Sequence, residues 1–258
     1  MRLTFLGSGG AFCDFRVNYQ NNAVVHTEEG PVLLDCGITA LQSLKELGIR
    51  AHDIRAVLIT HLHADHASPA VLVGERYYKS PDGRGASFLP TPILAPPDVI
   101  EPLMGSLVPF LDEYQDRSGA IRGGGTRALV EAQAVTETEI GGTRFRFFRV
   151  PHVVGASIDK PAYGVEIADA RRTVAWSGDT TFSPDWIQRT AESVDLLFHE
   201  CTFVPRDRVT VHTHWPELAS LPGEIRRQIV LMHHTAVPAD VDVSSVRAAA
   251  ARHDTFEP

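Results

Sequence analysis

Four metal-capable side chains fall within six residues, His61-Leu62-His63-Ala64-Asp65-His66, directly after Arg55 to Thr60. That preceding run is short, β-branched and mostly apolar, and reads as a buried strand. On a strand or a helix the four groups cannot all face one way. On an irregular turn they can converge, the left pair and the right pair serving two adjacent sites. The fold must therefore carry a buried strand whose end opens into a turn that gathers polar ligands. Imidazole with carboxylate, and no thiolate, suits zinc, manganese or iron and not a structural zinc finger. A histidine-rich surface loop is the bland alternative, and the position at a strand exit argues against it.

Three further groups sit at equivalent places. His152 follows Arg149-Val150-Pro151, Asp179 lies in Trp176-Ser177-Gly178-Asp179-Thr180, and His233 follows Val230-Leu231-Met232. Each alone reads as a cap or a satisfied polar group. Together they are what a two-metal site needs, with Asp179 as a carboxylate shared between the ions.

The rest of the chain supplies strands and helices for such a frame. Arg2 to Leu6 alternates and stops at Gly7-Ser8-Gly9-Gly10, a strand ending in a glycine turn. Asn22 to His26 and Val32 to Asp35 flank Glu29-Gly30-Pro31 as a hairpin. Thr39 to Leu47 carries Leu41, Leu44 and Leu47 at helical spacing and closes at Gly48. Lys79 to Ser87 reads as a surface loop, Val99 to Tyr114 as a helix despite two prolines, and Gly123 to Gly125 as a turn. Strands follow at Arg144 to Val150, Gly164 to Ile167 and Thr173 to Trp176. A short helix after Pro184 leads to buried strands at Asp195 to Phe198 and Ile229 to Met232, then a last helix at Val241 to Arg252. Strands precede helices in both halves, which predicts two sheets packed face to face with helices outside, an αβ/βα sandwich in one domain over residues 1–258.

Charge narrows the partners. With 24 Lys and Arg against 32 Asp and Glu, the chain of 258 residues carries a formal charge of −8. Such a surface has no general affinity for nucleic acid or an anionic membrane, so a phosphate-bearing substrate must be held by local charge. No run approaches the ~18 apolar residues of a membrane span. The opening residues are broken by glycine too early for a signal peptide. Cys13, Cys36 and Cys201 form no CxxC pair and read as reduced thiols, so a cytoplasmic location is expected.

In these motifs the sequence resembles the metallo-β-lactamase superfamily over nearly its whole length. Leu6-Gly7-Ser8-Gly9-Gly10, Leu33-Leu34-Asp35-Cys36-Gly37, the HxHxDH turn, His152, Ser177-Gly178-Asp179-Thr180 and His233 occur in the family's order. The resemblance implies that His61, His63 and His152 bind one metal and Asp65, His66 and His233 the other, bridged by Asp179. It implies two divalent ions, zinc first, with manganese or iron as alternatives. Asp35 resembles the family's buried aspartate that steadies the ligands. His233 rather than His234 is the ligand, because Leu231-Met232-His233-His234-Thr235 fits the family's Leu-x-His-x-Ser/Thr only in that register.

Two more segments narrow the branch. Phe198-His199-Glu200-Cys201-Thr202 resembles the His-Glu-Ala-Thr motif of ribonuclease Z, with Cys201 in place of alanine. Val211-His212-Thr213-His214-Trp215 resembles that branch's His-Ser-Thr segment, with His212 as the catalytic match. Continued to Pro222, the stretch is more similar still to phosphodiesterases acting on cyclic nucleotides, among them the anti-Pycsar proteins. Two ions can hold the non-bridging oxygens of a phosphodiester and lower the pKa of a shared water. Asp65 can then orient that water as well as bind metal, His212 would protonate the leaving oxygen or steady charge, and His199 and Glu200 would position His212 or a ligand imidazole through hydrogen bonds.

The interval between His152 and Asp179 is 179 − 152 = 27 residues, with no room for the tRNA-gripping arm of ribonuclease Z. It holds Lys160, Arg171 and Arg172 but no basic arm. A small diester, most of all a 3′,5′-cyclic nucleotide, is the expected substrate, with no stable nucleic-acid or membrane partner and a homodimer implied by the relatives. Arg16, Tyr19, Arg76, Tyr77 and Tyr78 are available to line a pocket, though packing is the simpler role for each. The rival enzyme is a hydrolase of a lactone, thioester or β-lactam, and the rival outside catalysis is a protein that sequesters a nucleotide. A ribonuclease is the remaining alternative.

Overall fold

The computed structural model describes residues 1–79, 89–155, 159–234 and 236–258. Two seven-stranded sheets dominate it. In chain order the strands are β1 (Arg2–Gly7), β2 (Asn22–Thr27), β3 (Gly30–Leu34), β4 (Ala56–Leu58), β5 (Thr91–Ala95), β6 (Val130–Ala134), β7 (Glu137–Ile140), β8 (Thr143–Arg149), β9 (Tyr163–Ala168), β10 (Thr173–Trp176), β11 (Leu196–Glu200), β12 (Ile229–Met232), β13 (Ala248–Ala249) and β14 (Thr255–Phe256). The first sheet runs β14-β1-β2-β3-β4-β5-β6 and the second β13-β12-β11-β10-β9-β8-β7. Pairing is parallel from β3 through β6 and from β10 through β13, and antiparallel elsewhere.

Side-chain alternation assigns the layers. Leu3, Phe5, Ala23, Val25, Ala56 and Leu58 face Phe145, Val165, Trp176, Phe198 and Val230 between the sheets. The intervening Leu6, Val24 and Val57 face outward onto α1 (Ala40–Glu46), α2 (Ala70–Tyr78) and α3 (Pro97–Leu111) through Leu41, Leu44, Val73 and Leu103. On the other side Ala175, Leu197 and Leu231 receive Ile187 and Ala191. Period-two burial on both faces of a sheet is what a middle layer requires. The result is the expected αβ/βα sandwich.

Two expectations are corrected. Residues 241–252 form no helix. Asp242 instead accepts the Ser244 N–H at 2.8 Å, and Ala248 and Ala249 pair with β12 as an edge strand. Serine and aspartate divert the backbone into local turns, and the alanines then follow the neighbouring strand rather than their own helical propensity. Gly123 to Gly125 is only partly a turn: Gly124 takes a left-handed φ of 78° and a one-turn helix α4 (Gly125–Leu129) begins there. The loop expected at Lys79 to Ser87 falls, from residue 80 on, outside the described residues. Among the described residues no helix is long and apolar enough to cross a membrane.

Candidate metal centre

The parallel strands β4, β10, β11 and β12 deliver polar residues to one end of the sandwich. Thr60 to His66 follow β4, Asp179 follows β10, Glu200 ends β11 and His233 follows β12. Two of the residues there hold left-handed backbone, Asp35 at φ 58° and His233 at φ 56°. Non-glycine residues enter that region at a cost, and aspartate tolerates it best. For His233 the turn breaks the alternation of Val230 and Met232 inward against Leu231 outward, and swings the imidazole over the site.

Seven side chains come together in two groups. His61, His63, His152 and Asp179 form one, and Asp65, His66, Asp179 and His233 the other. Within each group, one donor atom per residue lies within 4.8 Å of the rest, and Asp179 belongs to both. Its Oδ2 is 3.4 Å from His233 Nε2, 3.6 Å from His61 Nε2 and 3.8 Å from His152 Nε2, while its Oδ1 is 3.4 Å from His66 Nε2. Asp65 Oδ2 stands 3.1 Å from His66 Nε2 and 3.2 Å from His233 Nε2.

Three of the rings are aimed by a bond at the far nitrogen. His66 donates Nδ1–H to Asp35 Oδ2 at 2.8 Å, and His152 donates Nδ1–H to the Val211 carbonyl at 2.8 Å. His61 Nδ1 is 3.0 Å from Thr60 Oγ1, which donates its own proton to Asp35 Oδ2 at 2.9 Å. Buried Asp35 therefore orients two imidazoles, one directly and one through Thr60. These bonds leave Nε2 of His61, His66 and His152 as lone-pair donors pointing into the site.

The donors fit divalent ions. His61 Nε2, His66 Nε2 and Asp179 Oδ1 are buried with no hydrogen-bond partner among the described residues. Buried polar atoms rarely go unsatisfied in this way. The 3.1–3.8 Å spacings match the edges of a tetrahedron whose metal–ligand bonds are about 2.0–2.2 Å. Burial alone would raise Asp65 and Asp179, yet the surrounding imidazoles hold both below the usual carboxylate range. Anionic carboxylates packed this deep call for positive charge between them.

Beside the cluster lies a second arrangement. Glu200, fully buried, takes the Thr180 N–H at 2.7 Å and the Thr213 N–H at 3.4 Å, and both its oxygens are 3.1 Å from His212 Nδ1. His212 is 3.9 Å from Asp179 Oδ2, so this pair abuts the shared carboxylate. Burial lowers the affinity of His212 for a proton, but the Glu200 carboxylate outweighs it and pushes the imidazole up to about 9. Glu200 itself is raised by burial, which His212 opposes.

His199 is not part of this arrangement. It points to the opposite face of β11 from Glu200, with Leu197 and Cys201, donates Nδ1–H to the Glu200 carbonyl at 2.7 Å, and lies 5.8 Å from the Trp186 ring. Adjacent strand residues face opposite ways, so of the two only Glu200 reaches His212. Other pocket candidates are engaged elsewhere. Tyr19 donates to Glu46 at 2.6 Å, Arg16 pairs with Asp14, and Arg76 donates to the Ile54 carbonyl.

Sequence reasoning missed Asn22. Its amide donates to the Asp65 carbonyl at 3.0 Å and accepts the Gly37 N–H at 2.8 Å. A Cβ on Gly37 would sit 2.1 Å from that carbonyl, so only glycine lets the two loops meet. The polar opening of an otherwise apolar strand, Asn21-Asn22-Ala23-Val24-Val25, is the signal that could have found it.

Residues 1–254 match the family described as Anti-Pycsar protein Apyc1. An anti-Pycsar protein Apyc1 of Paenibacillus sp. (strain J14) is 31% identical over 261 residues, covering 98% of this chain and 95% of the relative. The chain belongs to the Apyc1 family. Solved structures agree on the fold. The metallo-β-lactamase fold protein YhfI from Bacillus subtilis superposes with a TM-score of 0.74 at 19% identity, over 100% of this chain and 99% of that one. The short form of human tRNase Z does so with 0.66 at 18% identity, over 100% and 99%. With its paired His and Asp groups, this Apyc1-family chain is a metal-dependent hydrolase of the metallo-β-lactamase fold.

Proposed function

We propose that the protein hydrolyses small phosphodiesters, 3′,5′-cyclic nucleotides foremost, as a cytoplasmic enzyme with two divalent ions, zinc first. The observation that carries this reading is the contact of the His212–Glu200 pair with Asp179, the carboxylate common to both metal groups. The alkoxide leaving group of a phosphodiester needs a proton as the P–O bond breaks, and an imidazole held by a buried glutamate can supply it. Membership of the Apyc1 family supports the same substrate class.

His61, His63 and His152 would hold one ion, Asp65, His66 and His233 the other, and Asp179 both. When bound, the ions supply Lewis acidity to the phosphoryl oxygens and a nucleophile from water at neutral pH. The chain's own groups do the rest. Asp65 orients the attacking water. Glu200 fixes Nδ1 of His212, leaving Nε2 to deliver a proton to the departing ribose oxygen as the P–O bond breaks. Thr180 and Thr213 hold Glu200 through backbone N–H groups, so its carboxylate keeps its place as charge shifts. Asp35 and Thr60 keep the imidazoles aimed.

The test is turnover of cyclic nucleotides by metal-loaded wild type and His212→Ala. Cleavage by wild type, with His212→Ala retaining metal and losing mainly kcat, supports the reading, and normal turnover by that variant removes the role of His212. A homodimer is part of the same proposal. Light scattering in line with gel filtration should return twice the chain mass, and a monomer would count against it.

A further inference from the structure

Val153 and Val154, which follow His152, pair antiparallel with Asp159 and Lys160. This pairing sets one lysine in a particular position. Ala162 bridges His61 in antiparallel fashion, which brings the segment carrying Lys160 alongside the turn that bears His63. Lys160 also pairs with Val153, the residue after His152. It is thus flanked by the two segments bearing His63 and His152, whose facing ring nitrogens are 3.1 Å apart.

Two further observations bear on its use. The Lys160 side chain is exposed, and no carboxylate among the described residues pairs with it. Around the site, Asp35, Asp65, Asp179 and Glu200 are four buried carboxylates. Two divalent ions would offset these four charges, and a cation at the rim adds to their pull on an anion. A diester hydrolysed to a monoester gains a second negative charge, so a cation at the rim of the site gains value as the reaction proceeds. A lysine suits that place as a flexible point charge that can follow the phosphoryl group.

We propose that Lys160 is a substrate-binding residue, its ammonium engaging the anionic phosphoryl oxygens on the His63–His152 side of the site. This rests on the phosphodiesterase reading, and the experiment separates the two. Zinc-loaded wild type, Lys160→Ala and Lys160→Arg are assayed with bis-p-nitrophenyl phosphate and titrated with inorganic phosphate by calorimetry, with metal content measured for each. A lost charge-assisted contact should raise KM and the phosphate Kd of Lys160→Ala about tenfold, with kcat and metal content little changed. Lys160→Arg should recover most of the loss, which a merely structural role would not predict. Equal KM and equal phosphate affinity in Lys160→Ala would overturn the proposal, as would a loss confined to kcat. Failure of wild type to cleave any diester would sink the phosphodiesterase reading, and the titration would still decide Lys160. Phosphate binding weakened by Lys160→Ala supports it, and phosphate binding unchanged or absent in wild type rejects it.

Discussion

At the scale of the residue, the account turns on which nitrogen each imidazole offers. Asp35 is the common anchor, holding His66 directly and His61 through Thr60. Asp35→Asn keeps the shape and removes the charge, so metal affinity should fall roughly 10–100-fold in a chelator-competition titration. An unchanged affinity would show that the rings are aimed without it. His63→Ala and Asp179→Ala should lose metal and activity together, measured by elemental analysis beside turnover, with Asp179→Ala emptying both groups. Activity surviving in metal-free Asp179→Ala would contradict the shared carboxylate. His212→Ala should keep its metal and lose about 10²–10⁴-fold in kcat, the usual worth of a placed proton donor. Glu200→Gln should move kcat in the same direction by less, because it acts only through His212.

At the scale of the element, what the sequence made legible and what it hid have the same cause. His61, Asp179 and His233 each follow an apolar run with a turn-forming continuation, so their positions could be read from burial and period alone. The aim of His152 could not, because the Val211 carbonyl that holds it comes from a distant segment, and the steadying role expected of Asp35 did not say which rings it reaches. His199 and Glu200 show the limit within one strand. Both stand at the end of β11, and only the parity shared by Leu196, Phe198 and Glu200 tells which turns toward His212. The misread helix at 241–252 hides for another reason, since alanines carry no face of their own and adopt the pairing that β12 offers. Two measurements follow. His199→Gln should leave metal content and kcat as in wild type, and a lower kcat with metal intact would return His199 to the site. Phe198→Ala, in the layer with Phe5 and Trp176, should cost about 3–5 kcal/mol in denaturant unfolding. A cost near zero would mean that β11 is not held by that layer.

At the scale of the whole molecule, residues 2–134 with the C-terminal strand β14 build one sheet and residues 137–249 the other, and neither half of the chain completes the centre. The first half supplies Asp35, His61, His63, Asp65 and His66, and the second His152, Asp179, Glu200, His212 and His233. Packing through Phe5, Trp176 and Phe198 sets the two sheet ends side by side, so the sandwich core and the metal centre are one construction. An acidic surface does not oppose an anionic substrate when the ions dominate the field at the site. The decisive measurement is phosphodiester turnover by zinc- or manganese-loaded protein, on bis-p-nitrophenyl phosphate and a panel of 3′,5′-cyclic mononucleotides, with His63→Ala as the blank. The account predicts cleavage of the generic diester and of at least one cyclic nucleotide, absent in the blank. Two metals bound with no diester cleaved would contradict it and turn attention to lactones, thioesters and β-lactams.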